Sequence, residues 1–314
     1  MAALAVSRAI GHRAQESEAL IGQGWSFLRQ GQQERAHEAF QAALEIASAI
    51  SDHGYERQAL LGLGWLYWHQ GRYEPALGAF SRAAEVARKE GSRAGELDAL
   101  LALGNTHRAV GRHEDALDSF AQALTYARDA GHRYGEMHAL LGFGNVHRVL
   151  ARYESALDHY REALEVARDT GQLESEMDAL CGMGHVCRRL GRHQPAGEHY
   201  RRALDLAREF GNRQWQMEAR YGLGRLCHAA GQPAAALVHY QQALALATDL
   251  RQPAVEAQIR DGLAQAHRLL GDTGTARRHW QRALEIFADL GVDRSPDEET
   301  TAKRIRDHLS GLAG

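Results

Sequence analysis

The strongest constraint on this chain is an internal period of 40 residues that runs without insertion or deletion. The segments IGQG, LGLG, LALG, LGFG, CGMG, YGLG and DGLA begin at residues 21, 61, 101, 141, 181, 221 and 261. Sixteen residues beyond the last letter of each stands an aromatic: Phe40, Phe80, Phe120, Tyr160, Tyr200, Tyr240 and Trp280. Four residues before each aromatic stands an alanine, from Ala36 to Ala276. A fixed period of this kind marks a repeat architecture, in which each unit buries its apolar face only against its neighbours.

Each period reads as two helices. In the third, Asp98, Leu101, Asn105 and Arg108 trace one stripe, and Leu100, Leu103 and His107 trace its neighbour, at helical spacings of three and four. Gly111 then marks a turn. Glu114 to Arg128 forms a second amphipathic helix with Ala116, Phe120, Ala123 and Leu124 on one face, and Gly131 ends it. Glycine suits such ends because the residue past a helix often needs positive φ. Pro75, Pro195 and Pro233 fall in first turns of second helices, Pro253 opens a first helix, and Pro296 lies in the tail. None sits mid-helix, where proline costs about 3 kcal/mol. The paired small positions of the first helices, such as Gly62 and Gly64, are glycine at twelve of fourteen sites. At roughly 0.5–1 kcal/mol each, those glycines require close tertiary packing as compensation. The expected partners are the alanines of the Ala76 type.

The run Leu103-Gly104, followed by Ala116, Phe120 and Ala123, resembles the tetratricopeptide repeat, and the pattern recurs seven times. The period exceeds the usual 34 residues. With Leu103-Gly104-Asn105-Thr106-His107 and Leu141-Gly142-Phe143-Gly144-Asn145-Val146-His147, it is similar to the long-helix variety of kinesin light chains and spindle-orientation scaffold proteins. The resemblance implies an all-α, right-handed superhelical solenoid of seven helix-turn-helix repeats with capping helices. The repeats fall at 12–51, 52–91, 92–131, 132–171, 172–211, 212–251 and 252–291. Residues 1–11 match the end of a second helix, expected as a cap or as part of a preceding repeat in a longer chain. Residues 292–314 are expected to form a polar linker and a capping helix from Thr301 to Leu312, with Ile305 and Leu309 on one side. This end also resembles bacterial regulators that join tetratricopeptide repeats to nucleotide-switch or DNA-binding domains.

In such a solenoid the first helices line the concave side, which places equivalent residues in rows. The third row reads Trp25, Trp65, Asn105, Asn145, His185, Arg225, Gln265; the fourth reads Leu28, Trp68, Arg108, Arg148, Arg188, His228, Arg268. In the resembled scaffolds, asparagine in the third row grips an extended peptide backbone, and Asn105 and Asn145 match it. Arg108, Arg148 and Arg188 form a ladder suited to carboxylates, with Asp98 and Asp178 at the opposite edge of the face. Trp25, Trp65 and Trp68 offer an apolar anchor. The plainer readings are that the arginines pair with neighbouring acids and that the tryptophans only pack. His107, His147 and His267 are expected between helices, and the row His159, His199, His239, His279 on a polar or inter-repeat surface.

Function classes narrow further. With 37 basic against 40 acidic residues, the chain lacks the basic excess of a nucleic-acid or membrane-surface binder. Cys181, Cys187 and Cys227 are too few and too clustered for a disulfide framework, which fits a reducing cytoplasm. Cys181 and His185 stand four apart, but no tetrahedral metal set is evident. Neither a phosphate loop nor a nucleophile elbow occurs. The expectation is a non-enzymatic interaction module without metal or cofactor, binding an acidic extended peptide or protein segment across repeats three to five. The alternative is a sensor arm of a bacterial transcriptional or nucleotide-switch regulator.

Overall fold

The structure, a computed structural model, describes residues 12–293 and 300–311. The N-terminal stub, most of the polar linker and the predicted helix end at Leu312 lie outside the described residues. Among the described residues, every helix but the last spans 17 or 18 residues. In chain order they are α1 (Arg13–Arg29), α2 (Gln33–Ala49), α3 (His53–His69), α4 (Tyr73–Glu90), α5 (Arg93–Ala109), α6 (His113–Asp129), α7 (Arg133–Val149), α8 (Tyr153–Thr170), α9 (Leu173–Arg189), α10 (His193–Glu209), α11 (Arg213–Ala229), α12 (Pro233–Asp249), α13 (Pro253–Leu269), α14 (Thr273–Leu290) and α15 (Ala302–Ser310). Odd-numbered helices from α1 to α13 are the first helices of the sequence repeats, and even-numbered ones are the second.

The turns follow a strict grid. Glycines every 20 residues from Gly31 to Gly291 hold φ between +63° and +84°, and the gaps in the series are filled by Ser51, Ala151 and Arg251 at φ of +53° to +56°. Those three L residues take the left-handed conformation because the fold demands a reversal there. Side chains cap several first helices: Asp52, Ser92 and Asn212 accept from the backbone N–H three residues on, at 3.0–3.2 Å.

Two compact units divide the helices, Met1–Arg152 with α1 to α7 and Tyr153–Gly314 with α8 to α15. Within each unit, successive helices pack together. First helices also touch first helices of the next pair, α1 to α3, α3 to α5 and α5 to α7 in one unit, α9 to α11 and α11 to α13 in the other. Second helices make no such repeated contact among the described residues. The first helices therefore form the closely spaced side of each stack.

The glycine pairs have a different partner from the one expected. They face rings, not alanines. A β-carbon added to Gly24 would stand 2.5 Å from the Phe40 ring, and one on Gly62, in the next pair, meets the same ring closer still. Gly104 and Gly142 clamp Phe120 in the same way, and Gly184 and Gly222 clamp Tyr200. The ring is thus inserted between two first helices, and the absence of a side chain at these glycines leaves room for it; Ala102 and Ala264 stand at the two positions of the series that are not glycine. The alanines are fully buried alongside, Ala36, Ala76 and Ala116 at 0% exposure.

A second joint is ionic. Glu96, Glu136 and Glu176 are buried in the first turns of α5, α7 and α9. Each accepts from an arginine near the end of the preceding helix: Arg88 at 2.6 Å, Arg128 at 3.0 Å and Arg168 at 3.0 Å.

The last helix is held by one carboxylate. Asp261 occupies the row that carries Ile21, Leu61, Leu101, Leu141, Cys181 and Tyr221 in the earlier repeats, and it is 1% exposed. Its Oδ1 accepts from Trp280 Nε1 at 2.8 Å. Its Oδ2 accepts from Arg304 and Gln265 at 2.8 Å and from the Thr300 hydroxyl at 3.3 Å. Ala302 and Ile305 of α15 complete the apolar contact with α13 and α14.

Of the two histidine groups, the row on the second helices is half-buried. Burial, and then the positive charge of Arg260, His267 and Arg278, pushes His279 down to about 4, against an opposing pull from Asp272. Its ring stacks on His267 at 5.7 Å.

These contacts make opposed predictions for chemically similar changes. Gly62→Ala should destabilise by about 1–3 kcal/mol through overpacking, whereas exposed Gly78→Ala, with nothing within 4 Å, should gain up to about 1 kcal/mol from helix propensity. Denaturant titration of both variants decides it, and a stabilising Gly62→Ala refutes the clamp. Asp261→Ala should cost about 2 kcal/mol or more, because Arg304 and the Trp280 N–H lose their buried acceptor. It should also accelerate amide exchange across α15. For His279 the folded value lies below the ordinary 6.5, so the unfolded chain binds more protons between those values and stability falls as pH drops from about 6.5 towards 4. Urea titrations at pH 7 and pH 5 should show a smaller loss for His279→Gln than for the parent.

Candidate peptide-binding face

The ring clamps set the floor on which the candidate residues stand. In the first unit, two third-row tryptophans lie over the core rings of their own pairs. Trp25 meets Phe40 edge-on at 5.3 Å, and Trp65 meets Phe80 at 5.4 Å. Trp68 packs beside Trp65 at 5.9 Å and Tyr73 at 6.3 Å, and its indole nitrogen is shielded from solvent with no hydrogen-bond partner. The tryptophans are therefore packed against neighbouring rings and only half-buried.

Asn105 and Asn145 take the equivalent places on α5 and α7, both half-buried. Asn105 spends one amide N–H on the Leu101 carbonyl at 3.1 Å. Arg108 and Arg148 stand one turn further on, also half-buried. Because α3, α5 and α7 touch in sequence, Trp65, Asn105 and Asn145 form one row of the first unit, with Trp68, Arg108 and Arg148 beside it. Asp98 is exposed at the other edge of α5.

The remaining candidates belong to the second unit. His185 on α9 is engaged at both ring nitrogens, Nδ1 with the Tyr200 hydroxyl at 3.0 Å and Nε2 with Glu218 at 3.3 Å. Its ring meets Tyr200 edge-on at 5.5 Å, repeating the tryptophan geometry of the first unit. Burial pushes the Tyr200 phenol well above its ordinary value, so it stays neutral. Arg188 and Asp178 share α9, and Arg225 on α11 lies over the Tyr221 ring at 5.4 Å.

A cavity of about 140 Å³ opens in this unit, with Arg188, Arg225, Arg304, Asp261, Gln258 and Gln265 in its wall. Of these, sequence reasoning singled out only Arg188 and Arg225 as site residues. The signal for the rest was Asp261, the charged break in an otherwise apolar and aromatic row. Cys181 and Cys187 are buried and Cys227 is half-buried, and burial raises all three thiols. Among the described residues no three His, Cys, Asp or Glu side chains converge as a metal set, and no helix is long and apolar enough to cross a membrane.

A family model for the MalT-like TPR region matches residues 25–210, and two further tetratricopeptide repeat models match 175–249 and 257–282. No curated protein matches the sequence. Among solved structures, the apo form of RapI is similar with a TM-score of 0.74 at 13% identity, over 88% of this chain and 99% of that one. The Rap conjugation gene regulator of plasmid pLS20, solved with the Phr* peptide, is similar with a TM-score of 0.67 at 19% identity, over 90% and 76%. The Signal Transduction ATPase with Numerous Domains from Pyrococcus horikoshii, which carries a tetratricopeptide repeat sensor, gives 0.69 at 17% identity over 95% of this chain and 44% of that one. At these identities the structural likeness shows the fold alone. The family match covers more than half of the chain, and it accords with the 40-residue period, the ring clamps and the stacked helix pairs: the chain belongs to the tetratricopeptide repeat proteins, in the family of the MalT-like TPR region.

Proposed function

We propose that the chain is a non-catalytic interaction module that captures an extended, acidic peptide or protein segment on the first-helix face of its first unit. The observation that carries this reading is the paired row on α3, α5 and α7. Polar and aromatic groups there stand half-exposed on a floor of clamped rings, with two arginines on successive helices. Neighbouring helices lie about 8–10 Å apart and an extended chain advances about 3.3 Å per residue. Successive arginines therefore address roughly every third residue of a ligand, each through a two-pronged carboxylate contact. The asparagines supply an acceptor for the ligand's backbone N–H groups, and half-buried Trp65 an apolar end-stop. Similarity to a Rap regulator solved with a bound peptide supports peptide capture as the class of activity.

The second reading, a sensor arm of a larger regulator, is favoured by the Pyrococcus horikoshii comparison, in which almost the whole of this chain corresponds to under half of a protein that carries a repeat sensor. The two readings share a binding face and differ in the consequence of binding: retention of a partner in the first, a signal passed to an attached domain in the second.

Fluorescence anisotropy with labelled peptides that place Glu at every third position, against the same composition scrambled, tests the register. The spaced peptide should bind more tightly, and Arg148→Ala and Asn145→Ala should each weaken it, the arginine change by about tenfold or more. Affinity unaltered in both variants removes this face from consideration.

A further inference from the structure

We infer that the sixth helix pair carries an oxyanion site in the groove between α10 and α12, where Arg208 and Arg220 take up a carboxylate or a phosphate. At this groove the repeat changes its chemistry. Before the third, fourth and fifth pairs, an arginine near the end of one second helix meets a glutamate of the next first helix, as Arg168 meets Glu176 at 3.0 Å. Forty residues on, Arg208 keeps the arginine and Gln216 replaces the glutamate. Arg220 stands where Leu20, Leu60, Leu100, Leu140 and Leu180 stand in the earlier pairs. Its counterpart in the seventh pair, Arg260, bonds Glu256 at 2.8 Å, and Glu256 is the counterpart of Gln216. Both cations of the sixth pair therefore address one place, and a neutral amide holds the position of the acid. Gln216 donates its own side-chain N–H to the Ala207 carbonyl at 3.1 Å.

The local charge is positive. Arg208 reaches Asp205 of its own helix at 3.6 Å, with both side chains more than half exposed, a contact that is worth little in water. Arg220 is half-buried and bonds the uncharged Gln242 amide of α12. Burial, and then Arg208, draws the Arg220 guanidinium below its ordinary value, and among the described residues no carboxylate opposes them. His239 of α12 is pushed down by burial and then by the same two arginines, again with no acid opposing. Space for a ligand comes from the packing. α10 and α12 each pack on α11 but, among the described residues, not on each other, so α11 floors a groove between them. In the first pair the counterparts of Arg220, His239 and Gln242 are Leu20, Ala39 and Ala42, and these three line one surface cavity. Planar guanidinium forks select anions with two or more oxygens, carboxylate or phosphate. The site does not rest on the peptide-binding reading, which concerns first helices of the other unit and is tested on other residues.

The test titrates the full chain, carrying nitrogen-15 arginine, with inorganic phosphate and with N-acetylglutamate, each against sodium chloride at matched ionic strength. The expected result is a saturable shift of the Arg208 and Arg220 Nε–H resonances with at least one probe. Two variants should each weaken that binding by at least about tenfold. Arg220→Leu removes a cation and restores the residue of the earlier pairs; Gln216→Glu leaves both cations and supplies the internal acid that the other joints carry. Circular dichroism confirms that each variant folds, and either one serves if the other does not. Saturation by phosphate alone assigns the site to a phosphoryl group; saturation by N-acetylglutamate, with or without phosphate, assigns it to a carboxylate. Saturation by neither probe, or binding that a folded variant leaves unchanged, overturns the site.

Discussion

Everything in this fold depends on a ring placed where two helices would otherwise touch. Phe40 lies against Gly24 of its own helix pair and Gly62 of the next, and Phe120 and Tyr200 are held the same way. Full burial of such a ring contributes about 1.5–3 kcal/mol, and two mid-helix glycines cost about 1–2 kcal/mol between them. The exchange is favourable by a small margin at each joint, and it works only if the neighbouring pair is present. A ring shared by two pairs accounts for a period that runs without insertion. One extra residue in a first helix would turn its glycine away by about 100°, since a helix has 3.6 residues per turn, and bring a side chain into the ring.

The clamp also explains why the candidate face varies. With the floor fixed by ring and glycine, the third-row residue above it need not fill the core and can be Trp25, Trp65, Asn105, His185 or Arg225. Where it is aromatic it leans edge-on against the ring; where it is His185 it is tied to Tyr200 and Glu218. The same floor therefore supports apolar, amide or cationic chemistry without a change in backbone. Specificity in such a molecule lies in a few side chains on an otherwise repeated surface.

Much of this was legible in the sequence because it is local. The helix stripes, the turn glycines on a 20-residue grid and the placement of the prolines all arise from residues within one or two turns of each other. The partner of the glycine pairs was not legible. A residue without a side chain is equally compatible with a neighbouring alanine or a ring, and only distance in space separates the two. The buried glutamates were legible in principle: an arginine followed eight residues later by glutamate recurs at Arg88–Glu96, Arg128–Glu136 and Arg168–Glu176. Charges on a helix read as solvated by default, and the first turn of a helix that abuts the preceding helix's end is where that default fails. His185 shows the same limit, since its two partners come from helices that sequence spacing cannot bring together.

Asp261 completes the logic of the stack. Ring clamps are generic: a pair that offers a ring and two glycines fits any pair that does the same, so they give cohesion without order. A buried carboxylate is different. It adds little net stability, because desolvation offsets most of the attraction, but it penalises every arrangement that leaves it without donors. In the seventh pair, Trp280 replaces the phenyl or phenol ring and brings an N–H to one carboxylate oxygen, Ala264 replaces the second glycine, and α15 brings Arg304 and Thr300 to the other oxygen. A generic repeat lacks Arg304 and Thr300, so another helix pair placed here would leave the buried charge with Trp280 and Gln265 as donors and without its cation. The contact therefore selects this short helix over another repeat, and it does so beside the cavity where arginines converge.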